Sequence, residues 1–283
     1  TGAGGGADLA ARLVAPEMSA SLGQPVVIEN HPNTATLAPG VAKAAPDGHT
    51  LLIWGGALWL APLFEQAPYD PVRDFAPITT LTRSPAILVV HPSLPVKSVK
   101  ELIALAKARP GELNYSAGPT GSSSQIAGEL LKSMANVNFV VVIYKGGSQV
   151  TTDLLSGQVQ MTIGQAASMA PEVKAGRLRV LATAGPRRSS LFPDLPTVAE
   201  TLPGFVSESL FGAFAPVKTP EAVVRRLNQE IVRALDKPDV RERLLKSGYE
   251  TVGGAPEQLA DYVKSEMARV GKMIKDTGIK SGG

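Results

Sequence analysis

Gly2-Ala3-Gly4-Gly5-Gly6-Ala7-Asp8, running on into Leu9-Ala10-Ala11-Arg12, is the stretch from which the fold can be read. Four glycines within five residues make a loop with almost no side chains, free to take backbone conformations closed to other residues. Beyond it Leu9, Leu13, Val14, Met18 and Leu22 fall on one face at helical spacing. Pro16 sits inside that pattern and is expected to kink the helix or end it early. A glycine loop feeding a helix N-terminus is an anion site, because unpaired N–H groups and the positive dipole end point outward. The anion is either the phosphate of a nucleotide or the carboxylate of a small acid.

The same device recurs down the chain. Ser116-Ala117-Gly118-Pro119-Thr120-Gly121-Ser122-Ser123-Ser124 joins a strand pattern to a helix pattern through glycines, with hydroxyls added. Tyr144-Lys145-Gly146-Gly147-Ser148 repeats it with a cation, and Gly55-Gly56-Ala57 and Gly164-Gln165 are milder versions. Around these loops the chain alternates strand and helix. Strands are expected at Pro25–Glu29, Thr50–Trp54, Ala86–Val90, Leu113–Ser116, Phe139–Ile143, Val159–Ile163, Arg179–Thr183 and Glu208–Ala215. Tyr69 to Pro77 reads as a surface connection. Ser98-Val99-Lys100-Glu101 and Thr197-Val198-Ala199-Glu200 are capping boxes that start helices, and three helices follow Pro220. This rhythm predicts two α/β lobes, each a mainly parallel sheet flanked by helices. In such sheets ligands sit beyond the carboxyl ends of the strands, where the glycine loops lie. Several such loops, shared between two lobes, point to a cleft lined by N–H groups and hydroxyls.

Composition narrows the function. The 283 residues are 44% hydrophobic and 19% charged with a net charge of +3, the balance of a globular chain without a nucleic-acid footprint. No apolar run approaches the roughly 18 residues of a membrane span. With no cysteine, disulfides, thiol catalysis and cysteine-held metals are excluded. No Gly-x-Ser-x-Gly elbow or Gly-Lys-Ser/Thr loop is present, and His31, His49 and His91 lack ligand-like spacing. Trp54 and Trp59 are expected in the core. A nucleotide reading survives on Gly2-x-Gly4-x-x-Ala7 with Glu29 at the end of the next expected strand. It predicts an NAD-type enzyme, but Asp8 stands where a pyrophosphate would lie and no adenine pocket is evident.

Beyond these residues, the sequence resembles the substrate-binding proteins of tripartite tricarboxylate transporters, the Bug-type periplasmic receptors, over essentially its whole length. The resemblance rests on Gly4–Asp8 with Ala11-Arg12, Leu22–Asn30, Ala45–Leu52, Tyr69–Pro77, Pro92–Pro95, Ser116–Gly118 with Gly121–Ser123, Tyr144–Gly146, Asp194–Glu200 and Gly253–Glu257. It implies a two-lobed periplasmic-binding-protein fold of the Venus-flytrap, type II kind. Residues 1–91 and 213–283 would form one lobe and 92–212 the other, with the ligand cleft between them. It implies a non-enzymatic periplasmic receptor, without cofactor or metal, that captures a di- or tricarboxylate or an aromatic acid as a monomer. The receptor would deliver the acid to the membrane components of the transporter, or signal through a sensor protein. The implied ligand contacts are Ala3, Gly4, Gly5, Gly6, Ala7, Gly55, Gly56, Ala57, Ser116, Gly118, Thr120, Gly121, Ser122, Ser123, Tyr144, Lys145, Gly146, Gly147, Gly164 and Gln165. The family's strand before the glycine loop is missing, so a processed or truncated N-terminus is expected. Gly164-Gln165 stands where many members carry Asp-Asn, which argues against an amino-acid ligand.

Overall fold

A computed structural model describes residues 6–31, 34–64, 66–118, 122–144 and 147–277. In chain order the elements are α1 (Gly6–Leu22), α2 (Thr34–Ala42), β1 (Leu52–Gly55), α3 (Ala57–Phe64), β2 (Phe75–Val90), α4 (Val99–Ala108), β3 (Asn114–Ala117) and α5 (Ser123–Ala135). They continue with β4 (Val140–Ile143), α6 (Gly147–Ser156), β5 (Met161–Gln165), α7 (Ala166–Lys174), β6 (Arg179–Thr183), a 3-10 turn at Val198–Glu200, β7 (Glu208–Pro216), α8 (Glu221–Leu235), α9 (Pro238–Lys246), β8 (Glu250–Gly253) and α10 (Pro256–Thr277). The chain divides into two units. Unit 1 is Thr1–Arg83 with Ser209–Gly271, and unit 2 is Ser84–Glu208 with Lys272–Gly283. Among the described residues no helix is long and apolar enough to cross a membrane.

In unit 1, β7 lies between β1 and the first half of β2, and β8 also pairs with β2. The β1–β7 and β2–β8 pairs are antiparallel. α8 shows why its sequence folds here: Val224, Leu227, Ile231, Ala234 and Leu235 are buried at helical spacing. They share a core with Leu13, Val14 and Met18 of α1 and with Ile78, Leu81 and Ala213 from the strands. A second cluster gathers Trp54, Trp59, Phe75 and Phe214, so both tryptophans are core residues.

In unit 2 the second half of β2 pairs antiparallel with β5 and with β6, while β3 runs parallel to both β4 and β5. β3, β4, β5 and β6 therefore share one direction and β2 opposes them. The entry and exit of this unit are tied together, for Ala86 N–H donates to the Ser207 carbonyl at 3.3 Å and Ser207 N–H to that of Ala184 at 2.7 Å.

Several expectations change. The sheets are mixed, because β2 runs antiparallel to β5, β6 and β8 while β3, β4 and β5 run parallel. β2 begins at Phe75, inside the segment read as a surface connection. Pro25–Glu29 forms no strand; Val27 is 78% exposed and no ladder takes it up. α1 runs through Pro16 to Leu22 as one helix. Thr197 and Glu200 form a reciprocal capping box; at Ser98 only half of it forms, for Ser98 Oγ accepts the Glu101 N–H while the Glu101 carboxylate accepts from Lys97 N–H at 2.7 Å.

Candidate functional site

Because β3, β4 and β5 are parallel neighbours, their carboxyl ends lie along one edge of the unit 2 sheet. Each strand feeds a helix there: β3 leads to α5, β4 to α6 and β5 to α7. Three helix N-termini thus serve a single edge, where their dipoles add. The first turns of α5, α6 and α7 contain no acidic residue. By contrast α1, α4, α8, α9 and α10 all carry one, in Asp8, Glu101, Glu221, Asp239 and Glu257. Those five helices place their own carboxylate on the start, while α2 and α3 share the lack of one with α5, α6 and α7. At the β3–β4–β5 edge that place is left to another anion.

Hydroxyls shape the edge. Ser122 is the N-cap of α5 and accepts the Gln125 N–H at 3.3 Å. Gly118 N–H donates to Ser124 Oγ at 2.9 Å, and the Ser122 and Ser124 hydroxyls are 3.2 Å apart. Ser123, the first residue of α5, is exposed. Ser116 is fully buried, and Thr162 Oγ1 donates to its carbonyl at 2.7 Å. Tyr144 is buried as well, its hydroxyl donating to Asp153 Oδ2 at 2.7 Å. Burial first, and then the hydrogen bond and charge of Asp153, push that phenol up to about 12. Tyr144, the residue after β4, is thereby fastened to Asp153 in the body of α6. Gln165 precedes α7 without a side-chain cap bond, and Gly164 packs against Met169, whose Cε a Cβ would meet at 2.9 Å.

Unit 1 presents two more helix starts. A Cβ on Gly6 would lie 2.5 Å from Tyr249 Cζ and 2.6 Å from Phe211 Cε2. One on Gly55 would lie 2.9 Å from the Leu210 carbonyl oxygen and 3.0 Å from the Phe211 ring. Glycine at both places lets α1 and the β1–α3 turn, with Gly56 and Ala57, close onto Phe211. Asp8 is buried beside Ala7. Arg12 Nε donates to its carboxylate at 3.0 Å and Asn30 Nδ2 at 2.9 Å, while Arg12 Nη2 donates to Asn30 Oδ1 at 2.8 Å. The acid in the first turn of the glycine-loop helix is thus neutralised internally. A groove of about 570 Å³ also lies in unit 1, lined by Pro62, Leu63, Tyr69, Asp70, Arg73 and Met267 among others, with no glycine-loop residue among them.

Ala3, Gly4, Gly5, Thr120, Gly121, Lys145 and Gly146 lie outside the described residues. Gly6, Ala7, Gly55, Gly56 and Ala57 come together in unit 1, and Ser116, Gly118, Ser122, Ser123, Tyr144, Gly147, Gly164 and Gln165 in unit 2. Residue-type reasoning missed the acid-free first turns, although they can be read from the letters, and it missed the buried hydroxyls of Tyr115 and Thr162 behind the edge. His31 pairs with exposed Glu29 at 3.4 Å, and His91 Nδ1 lies 2.7 Å from Ser93 Oγ. Among the described residues no group of three His, Cys, Asp or Glu could hold a metal. The nucleotide reading loses its βαβ unit, since no strand forms at Pro25–Glu29.

Helix starts at the carboxyl ends of parallel strands, as at the β3–β4–β5 edge, are places where α/β proteins receive anionic solutes. The comparisons give the family. The model for the tripartite tricarboxylate transporter family receptor matches residues 10–279, and the chain belongs to that family. It is 39% identical to the UPF0065 protein in the tcbD-tcbE intergenic region of Pseudomonas sp. strain P51, over 96% of this chain and 82% of that one. Among solved structures it is similar to R. palustris Rpa4515 with adipate, at 35% identity and a TM-score of 0.73, covering 96% and 93% of the two chains. It is likewise similar to MatC from Rhodopseudomonas palustris with bound malate, at 35% identity and a TM-score of 0.68, covering 96% and 95%.

Proposed function

We propose that this protein is a non-enzymatic periplasmic receptor for a small dicarboxylate, which it hands to the membrane components of a tripartite tricarboxylate transporter. The observation that carries the reading is the set of acid-free helix starts at the β3–β4–β5 edge. A carboxylate placed there accepts hydrogen bonds from first-turn amides and from Ser123, and meets three positive dipole ends whose first turns carry no acid. The malate and adipate carried by the two similar structures support a diacid of four to six carbons.

A thermal-shift screen of ligand-free protein against malate, succinate, adipate, citrate and benzoate tests this. At a ligand concentration of about 100 times Kd the stabilisation is about 2.7 kcal/mol, a rise in Tm of about 4 °C for a chain of this length. No stabilisation by any of these acids would sink the reading. Ser123→Asp then locates the site. It puts a carboxylate in the first turn of α5, so affinity should fall at least about tenfold while the fold is unharmed or gains stability. Ser123→Ala should cost far less.

A further inference from the structure

We infer that the hydroxyl of Tyr115, far from solvent, sets the spacing of the ligand edge and with it the length of acid the receptor accepts; this rests on the carboxylate reading above. The main-chain ladder between β3 and β5 has a single register pair, Tyr115 with Met161. Beyond it, toward the carboxyl ends, side chains take over. Ile163 N–H donates to the Tyr115 hydroxyl at 3.0 Å, and that hydroxyl donates to the Ser124 carbonyl at 2.6 Å. Thr162 Oγ1 adds its bond to the Ser116 carbonyl. One phenol oxygen therefore ties the first turn of α5 to the residue immediately before Gly164-Gln165, the entry to α7.

Tyr115 is built to hold still. Its side chain is fully buried, and its ring stacks on Phe139 with centroids 5.6 Å apart. On the other side it lies so close to α5 that a Cβ on Gly128 would come within 2.5 Å of Tyr115 Cε1. A glycine in mid-helix costs about 1 kcal/mol against alanine, and here it makes room for the clamp. Ser124 O is also the i−4 acceptor of the Gly128 amide in a regular helix, so ring and hydroxyl engage the same turn. Serine, glycine and tyrosine at 124, 128 and 115 form one device that fixes how far apart two anion-binding helix starts stand. Tyr115 touches no ligand and is a positioning residue.

Tyr115→Phe keeps the ring and deletes the clamp. In the ligand-free protein, amide exchange at Ile163 and in the first turn of α5 should accelerate together, and unchanged exchange at both would overturn the proposal whatever the ligand is. For binding, the Kd values for malate and adipate are compared. Tyr115→Phe should weaken the better of the two about tenfold and shift their ratio at least about threefold, since small misplacements of binding groups are costly. Phe139→Leu loosens the same core with the hydroxyl intact and should leave the ratio unchanged; an equal shift there would reduce Tyr115 to a packing residue. If Tyr115→Phe does not fold, Thr162→Val carries the test, with the same acceleration at Ile163 and ratio shift expected and wild-type values overturning the clamp. If wild-type protein binds neither acid while the exchange result holds, the ligand reading fails and the clamp stands.

Discussion

The two units solve the same problem with different chemistry. The buried carboxylates Asp8, Glu230 and Glu250 all lie in unit 1, and each is paired with arginine: Asp8 with Arg12, Glu230 with Arg226 and Arg233, and Glu250 with Arg83. The buried polar residues of unit 2 are Ser84, Ser116, Gln125, Thr162, Thr183, Ser189 and Thr197, all neutral. Unit 1 thus buries ion pairs as well as the hydroxyls of Thr79, Thr80, Thr82 and Thr219, whereas the buried polar residues of unit 2 carry no charge. A fixed carboxylate near the β3–β4–β5 edge would repel an acid ligand through a low-dielectric interior, whereas neutral donors and acceptors fix geometry without that penalty. The difference teaches that, among the described residues, unit 2 builds its interior without burying a charged side chain.

The largest expected effect tests the ionic half. Glu250→Ala strands the Arg83 guanidinium, whose side chain is only 13% exposed, and should lower stability in urea unfolding by about 3–5 kcal/mol. A cost below that of the hydroxyl deletions in unit 2 would undo the contrast. Next comes Gly128→Ala. Alanine is the better helix former by about 1 kcal/mol, yet overpacking against Tyr115 should reverse the sign and leave a net loss of about 2 kcal/mol. Gly6→Ala, with an equally short approach to Tyr249, should cost less, because Tyr249 is only half-buried and can swing aside.

The hydroxyl half is best broken with alkali. Tyr144 ionises at about 12 in the fold against 10 ordinarily, so between those values the unfolded chain holds fewer protons than the folded one. Stability is then full below pH 10 and falls as pH rises toward 12. Tyr144→Phe should flatten part of that decline in a pH series of Tm values, and an unaltered alkaline limb would show that the hydroxyl has no such role. The smallest effect sharpens the ionic half. Burial raises the pKa of Glu266, which accepts the Trp59 Nε1–H. The folded state thus favours its protonated form and loses stability as pH rises past its titration. Glu266→Gln keeps an acceptor without the charge and should gain less than about 1 kcal/mol at neutral pH.

Much of this architecture was legible in the letters. The helix caps at Ser98 and Thr197, the amphipathic α8 and the glycine loops all act over a few residues, and local spacing reports local physics. What failed was non-local. Tyr69 to Pro77 reads as a connection because Pro71 and Pro77 interrupt it, yet the strand begins at Phe75 and runs on through Thr79 and Thr82, both fully buried, with Thr79 Oγ1 reaching the Gly254 carbonyl at 2.9 Å. Val26, Val27 and Ile28 have strand propensity but no strand to pair with, and propensity without a neighbour decides little. α3 was hidden by Pro62. The Tyr115–Gly128 contact, meeting across a strand and a helix, leaves no sequence period to find.

The bonds that join Ala86 to Ser207 and Ser207 to Ala184 have a consequence for how the chain is made. Apart from Lys272–Gly283, unit 2 is one continuous stretch, Ser84–Glu208, synthesised ahead of nearly all of β7. β1 must wait for β7, since Leu52 pairs with Phe214. A long unstructured insertion would make that closure entropically slow. Once unit 2 has folded, its two ends are fastened to each other, and the distance that β1 must search for its partner collapses to a short tether. The later-born unit assembles on a clasp fastened by the earlier one, an order that follows the direction of synthesis.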